Sequence, residues 1–490
     1  MLRLAAPIVM LAFCIAAALG STGARAARPN VPSVLGVQAG PFSAVVKWHV
    51  EEPARVVVEV GADDRYGIWS PVTTTHGALT ATTMLSELEP GTTYRFRLSA
   101  RWRNGQRAEA RGSFRTDPWP GSLAATVAPS AVAKTADPLS PFIIPPALPP
   151  GVTSGASGPT PLPGVAPPMS SSAPLRVNGA PVFPRMVWRQ CPTYYPTSVA
   201  SGINVFLGAS CAGPDEQLAK LAGRAMSAVD ASTPGVSGPG LIGWHFADEA
   251  DVSVGNAANL PTPPAGGRVT FLTLTDHFSS RAAPPPNGKG IYPDFMAKAD
   301  VIGFDTYPLE VRCTIDHLDD VYWMQRELVH MAAGKPTFQW IEAAPMEKCH
   351  NVDPTPPVVR AETWLAIAGG ARGIGYFPDW WPEDIRDEVT RVNRDIVTLA
   401  PALLDQIGNA LWSVQNPVRV GVRRHNGALY VIAVNTSTAP ATASFTVPGL
   451  GGRKLRVFTD GRVVTPYGDL AVDKLPGLGV SIYIASPVGW

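Results

Sequence analysis

Along the chain, the pattern of apolar and polar positions changes character three times. Residues 30–117 carry short β-branched or aromatic runs with turn residues between them, among them Ala44-Val45-Val46-Lys47-Trp48, Val56-Val57-Val58-Glu59-Val60 and Tyr94-Arg95-Phe96-Arg97-Leu98. That pattern predicts a small all-β unit. Over 118–175 the periodicity stops: between Gly121 and Leu175 the only charged residues are Lys134 and Asp137, and Pro, Ala, Ser and Gly dominate. Such a segment buries too little surface to offset its ordering entropy and reads as a semi-rigid linker, although Phe142-Ile143-Ile144 could pack on a neighbour.

From Arg176 the pattern becomes continuous apolar runs separated by helical segments. Eight runs follow in order: Pro184–Trp188, Ile203–Leu207, Arg224–Val229, Leu241–Phe246, Val269–Leu274, Val301–Phe304, Thr337–Trp340 and Gly373–Phe377. Uninterrupted apolar runs are what parallel strands buried on both faces require. The third run reads equally as an extension of the helix before it. Helical patterns cover Asp316–Ala333, Val358–Ala368 and Pro382–Leu404. Eight strand-and-helix units over 176–406 predict a (β/α)8 TIM barrel, whose usual size is about 250 residues. After Leu404 the alternation returns in Val418–Val422, Leu429–Val434, Ala443–Val447, Lys454–Phe458 and Val480–Ile484, with turns at Asn426-Gly427 and Asp460-Gly461. A C-terminal antiparallel sandwich over 409–487 follows from it.

The first residues predict export. Arg3 precedes an apolar run over 4–19, and Ala24-Arg25-Ala26 forms an A-x-A cleavage site, so 1–26 reads as a signal peptide, with a retained anchor as the alternative. No other stretch approaches the ~20 apolar residues of a membrane span. Forty Lys and Arg against 39 Asp and Glu leave a net charge of +1, which gives nucleic acid no electrostatic footing. Beyond Cys14, the four remaining cysteines, Cys191, Cys211, Cys313 and Cys349, form an even set without a C-x-x-C pair, favouring disulfides over zinc in an exported chain. The barrel order sharpens this. Cys191 and Cys211 follow neighbouring strands one and two, and Cys313 and Cys349 follow strands six and seven, so the expected bridges are Cys191–Cys211 and Cys313–Cys349.

In a TIM barrel the chemistry sits where strands end. The fourth run ends in Gly243-Trp244-His245-Phe246-Ala247-Asp248-Glu249 and the seventh in Phe338-Gln339-Trp340-Ile341-Glu342, presenting one Glu after each. Glycosidic cleavage needs such a pair, one carboxyl protonated for the leaving group and one ionised to attack. On these residues the segment 178–405 resembles a clan A glycoside hydrolase, a retaining TIM-barrel family. The resemblance implies Glu249 as acid/base and Glu342 as nucleophile. It also implies Tyr307, in Phe304-Asp305-Thr306-Tyr307-Pro308, as a hydrogen-bond donor to the nucleophile. The family commonly has Asn before the acid/base; here it is Asp248, which leaves that contact to the sugar open. Trp188, Trp340, Trp380 and Trp381 are the aromatic candidates for stacking on a sugar.

Two further resemblances complete the reading. Leu88-Glu89-Pro90-Gly91-Thr92-Thr93-Tyr94 resembles the tyrosine corner of a fibronectin type III domain, with Trp48 at that family's core tryptophan. The C-terminal sandwich resembles the small β domain that follows the barrel in many glycosidases. Asp276-His277 after the fifth run lacks the H-x-H pair of metal-dependent amidohydrolase barrels, so neither metal nor cofactor is expected. The expectation is a secreted retaining glycosidase acting on a polysaccharide or glycan, with possible cell-wall association. The alternative is a non-catalytic, cell-surface carbohydrate-binding protein built on a degenerate glycosidase barrel.

Overall fold

Eight short parallel strands close into a barrel in chain order: Arg185–Trp188, Val205–Leu207, Met226–Asp230, Leu241–His245, Val269–Leu274, Val301–Asp305, Thr337–Glu342 and Gly373–Phe377. The eighth pairs back onto the first through Gly375 and Met186. The structure is a computed structural model and describes residues 31–127 and 169–490, apart from 347, 350, 351 and 379. The export signal and Phe142–Ile144 lie outside the described residues.

Each of the eight predicted runs forms a barrel strand, including the ambiguous third, which is Met226–Asp230. The strands are buried on both faces, hence their unbroken apolar sequence. One face fills the barrel with Met186, Leu207, Ile242, Phe271, Phe338 and Trp340. Two glycines make room for the largest of these. A Cβ on Gly375 would stand 2.1 Å from the Trp340 ring, and one on Gly303 would stand 2.1 Å from the Phe338 ring. The outer face packs on helices Leu318–Met331, Pro356–Ala368 and Glu383–Leu403.

Two sheets precede the barrel. Ser33–Ala39, Ser43–His49 and Thr80–Ser86 form one; Ala54–Gly61, Ile68–Trp69, Thr93–Trp102 and Arg107–Arg115 form the other, with Thr73–Thr74 on its edge. Fully buried Trp48 lies in the core with Val46, Val58 and Leu98 and donates its indole N–H to Thr83 Oγ1 at 2.9 Å. Tyr94 Oη accepts the Glu89 backbone N–H at 2.9 Å. Glu89 then reaches the barrel, its carboxylate binding Arg185 at 2.8 Å and Asn204 Nδ2 at 3.1 Å. Both partners stand where barrel strands begin, so this unit docks at the end away from the mouth.

The range read as a linker is too wide at both ends. Ala125–Val127 pairs with Leu175–Val177, which pairs on with Ala180–Val182, and Trp119, Leu123 and Leu175 are buried under the barrel core. Apolar residues at the edges of a Pro-rich stretch find a surface supplied by the barrel, which composition alone does not reveal. After the barrel, a six-stranded and a three-stranded antiparallel sheet form from residues 406–485. Strands Val418–His425 and Ala428–Asn435 meet at Asn426-Gly427, both with positive φ (48° and 79°), as a two-residue hairpin of this kind demands. This unit is tied to the barrel flank: Tyr322 Oη donates to the Val420 carbonyl at 2.9 Å, and Arg419 pairs with Asp319.

Candidate active site

At the C-terminal mouth of the barrel the chain after strand four turns sharply. Glu249 adopts φ 45° and ψ 51°, left-handed for a residue with a Cβ, and opens the short helix Ala250–Ser253. Asp251, two residues on, is buried and pins this turn. It accepts the Thr275 backbone N–H at 2.9 Å, the Thr275 hydroxyl at 2.6 Å and the Tyr292 hydroxyl at 2.8 Å. The strain at Glu249 is therefore held by a buried anchor two residues on, an arrangement that recurs at functional sites.

Asp248 and Glu249 are both exposed at the mouth. Partial desolvation beside the barrel mouth, and then the charge of Glu249, push the Asp248 carboxyl up to about 6. The third carboxylate here is Asp305, the last residue of strand six. It is hydrogen-bonded to Glu249 and raised well above the usual carboxylate range by burial and by the charges of Glu249, Asp248 and Asp276. Tyr307, two residues further, stacks on Phe377 with ring centroids 5.7 Å apart. Its phenol is pushed well up by burial and by Asp305, Asp248, Glu249 and Glu342.

Glu342 ends strand seven, but its surroundings differ. It is 0% exposed; Oε1 accepts the Leu309 N–H at 3.0 Å and Oε2 the Glu310 N–H at 2.9 Å. Both donors belong to the loop after strand six, so Glu342 fastens that loop to the barrel. Beside it lies Glu362 of helix Pro356–Ala368, also buried, and the two carboxyls share a hydrogen bond. Two carboxyls in contact hold a proton between them. Burial and the charge of Glu342 raise Glu362 well above its ordinary value, so Glu362 carries the proton. Burial raises Glu342 too, opposed by the bonds from Glu362, Leu309 and Glu310, and it takes the charge.

The aromatic candidates divide. Trp340 is 2% exposed, donates to Thr273 Oγ1 at 3.1 Å and fills the barrel, so it offers no open face to a sugar. Trp188, 8% exposed, packs edge-on against Trp340 and His245. Trp380, 46% exposed, and Trp381 line a cleft of about 340 Å³ with Gln190, Tyr194 and Arg386. Trp381 is fixed by its N–H to the Pro378 carbonyl at 3.1 Å. The lining of this cleft comes from the segments that follow strands one and eight.

The mouth is bordered by two disulfides at the expected pairings, Cys191–Cys211 and Cys313–Cys349, with Cα separations of 5.2 and 5.3 Å. Asp276 is engaged by Arg312 at 2.6 Å and by the Thr306 hydroxyl at 3.0 Å. Among the described residues no three His, Cys, Asp or Glu side chains are grouped to hold a metal ion. None of the described helices is long and apolar enough to cross a membrane.

Sequence reasoning missed Asp305 and Glu362. The period of two in a strand carried a signal for the first, since Gly303, Asp305 and Tyr307 alternate in step. For the second it was a lone Glu with apolar neighbours on every side of the helix, Val358, Val359, Ala361, Leu365 and Ala366.

No protein-family model matches the chain, and no curated protein does. Among solved structures it is similar to a GH30 endoxylanase from Clostridium papyrosolvens, at 11% identity and TM-score 0.39, covering 65% of this chain and 98% of that one. A putative alpha-galactosidase/melibiase from Bacteroides fragilis is matched at 10% identity and TM-score 0.39, over 93% of this chain and 98% of that one. A glycoside hydrolase family 30 subfamily 8 xylanase from Clostridium acetobutylicum gives 12% and 0.34, over 62% and 96%. Likenesses this weak carry no argument about activity, which rests on the site.

Proposed function

We propose that the protein is a secreted glycoside hydrolase that cleaves O-glycosidic bonds of a polysaccharide or glycan by double displacement. The observation that carries this reading is the mouth of the barrel. Three carboxylates from two strand ends, Asp248, Glu249 and Asp305, crowd together beside Tyr307, and burial and their mutual charge hold the Asp248 and Asp305 carboxyls above their ordinary values. A protonated carboxyl beside an ionised one is the equipment of glycosidic cleavage. Glu249, exposed and on a strained turn, is the acid/base. Glu342 is the proposed nucleophile, its anion supported by two backbone N–H groups and by Glu362. Because Glu342 is fully buried, attack requires the loop after strand six to move on substrate binding. Trp380 and Trp381 supply a stacking platform on the rim.

The two disulfides and the sequence of 1–26 support an extracellular site of action. The Tyr94–Glu89 bond and buried Trp48 support a fibronectin type III-like N-terminal unit, which as a spacer would hold the mouth away from a cell wall. One observation, the burial of Glu342, favours a second reading: carbohydrate binding without catalysis.

The two readings separate on mutant chemistry. Once a cleavable polysaccharide is found, Glu342→Ala should lose turnover and regain it with azide, giving a glycosyl azide of inverted configuration by NMR. Glu249→Ala should keep glycosylation by activated aryl glycosides and form a retained-configuration azide. Absence of any released sugar from the wild type favours the binding reading.

A further inference from the structure

The N-terminal unit docks at the end of the barrel away from the mouth, and its larger sheet carries an unbalanced row of charge. Across four adjacent strands Thr74, Arg55, Arg101 and Arg107 stand opposite one another in register. Residues paired in this way project from one face about 5 Å apart, where like charges repel. Four residues along, the same two central strands oppose Arg97 with Glu59, and Arg97 Nε donates to Glu59 Oε2 at 2.9 Å. No carboxylate takes that place in the arginine row. Among the described residues Arg101, Arg103 and Arg107 make no ion pair, and Arg55 donates to the Gly489 carbonyl at 2.6 Å.

The row opens onto a cleft of about 510 Å³ that Arg55, Arg101, Arg103 and Trp102 line. Trp102 is 5% exposed, and its indole N–H is buried without a hydrogen-bond partner among the described residues. Guanidinium and indole groups donate hydrogen bonds and accept none. Glu52 is the one carboxylate lining this cleft or the one that continues it past Arg103. Glu109, two residues from Arg107, is engaged by Arg111 at 3.3 Å and Arg97 at 3.7 Å. The cleft is therefore rich in donors and positive charge, and poor in anything that would satisfy them.

We propose that the row and its cleft form a second carbohydrate site, on the N-terminal unit, that binds a polyuronate, a polysaccharide carrying a carboxylate on each sugar. Three charges in line about 5 Å apart, extended by Arg103, outrun a single small anion and suit a chain whose charge repeats. Arginine rather than lysine at every one of these positions fits a planar carboxylate, which the guanidinium fork takes with two hydrogen bonds. Trp102 supplies an aromatic wall beside them. Nucleic acid fits less well, because the whole chain carries a net charge of only +1 and the positive patch is local. The site lies apart from the mouth and does not depend on the reaction there. A polyuronate held at it would keep the protein on a polysaccharide surface and raise the effective concentration of substrate at the mouth.

The test titrates full-length protein with polygalacturonate in a calorimeter, beside the same polymer fully methyl-esterified, which keeps the sugars and removes the charge. The wild type should bind the free acid, bind it more weakly as salt is added, and ignore the ester. Arg101→Gln should weaken binding about tenfold or more while its thermal midpoint holds or rises, since it also relieves repulsion along the row. Should that variant lose stability, Arg107→Gln, at the exposed end of the row, gives the same reading. Lys47→Gln, on the other sheet of the same unit, should bind as the wild type does. No binding of the free acid, equal binding of the ester, or arginine variants that bind like the wild type overturn the proposal. So does a loss in Lys47→Gln as large as that in Arg101→Gln, or equal or tighter binding of a single-stranded oligonucleotide or of anionic phospholipid vesicles. Because the readout is binding, a protein that releases no sugar yet holds polygalacturonate through Arg101 upholds this site while the glycosidase reading fails.

Discussion

The buried Glu342–Glu362 pair makes stability depend on pH in a direction opposite to ordinary acid denaturation. In the folded protein Glu362 stays protonated well above its ordinary value of 4.5, because burial and the Glu342 charge oppose ionisation. In the unfolded chain it ionises normally. Between those two values the native state holds one more proton than the unfolded state, so unfolding free energy falls as pH rises. The slope approaches about 1.4 kcal/mol per pH unit for one such group. Glu362→Gln keeps the size and offers an amide N–H to Glu342, but has no proton to lose. Above about pH 5 the wild type should therefore lose stability, at up to that slope, which the variant keeps. Urea unfolding at a series of pH values measures this directly. The variant should be the more stable near neutrality and the difference should shrink towards pH 4.5. Parallel curves for the two proteins would refute the shared buried proton.

Three further outcomes follow from the geometry around the mouth. Asp251→Ala strands the Thr275 N–H and hydroxyl and the Tyr292 hydroxyl, and should cost about 3 kcal/mol in urea unfolding. Glu249→Gly should abolish glycosidase turnover yet hold or raise the thermal midpoint, since relief of the left-handed backbone is worth about 1–2 kcal/mol against a smaller entropic loss. Removing the Cys313–Cys349 bridge as a double Ser variant opens a loop of 36 residues. It should cost roughly 3–4 kcal/mol in the chain-entropy model, read as a drop in urea midpoint.

How far the fold was legible depends on where the information lay. Barrel strands declare themselves because both faces are buried; Val269–Leu274 is polar only at threonines, and its predicted and observed ranges coincide. Strand seven runs two residues beyond the predicted Trp340, since Glu342 does not look like a strand residue until its carboxylate is seen bonding the Leu309 and Glu310 N–H groups. The pairing of Ala125–Val127 with Leu175–Val177 joins segments about 50 residues apart, and local pattern says nothing of it. The cysteine pairing was legible once strand order was assumed. Within the site, Glu249 and Asp248 stand at the mouth as their strand end implied, while Trp340 was absorbed into the core. Asp305 escaped because a search for paired glutamates passes over an aspartate one strand away.

The central claim is that this mouth hydrolyses glycosidic bonds with Glu249 as its acid/base. The most direct measurement incubates full-length protein with a panel of plant, fungal and bacterial polysaccharides and identifies the sugars released, wild type beside Glu249→Ala. The account predicts release from at least one polysaccharide by the wild type and its collapse in the variant. Equal release by both proteins, or none by the wild type from any of the panel, would contradict it.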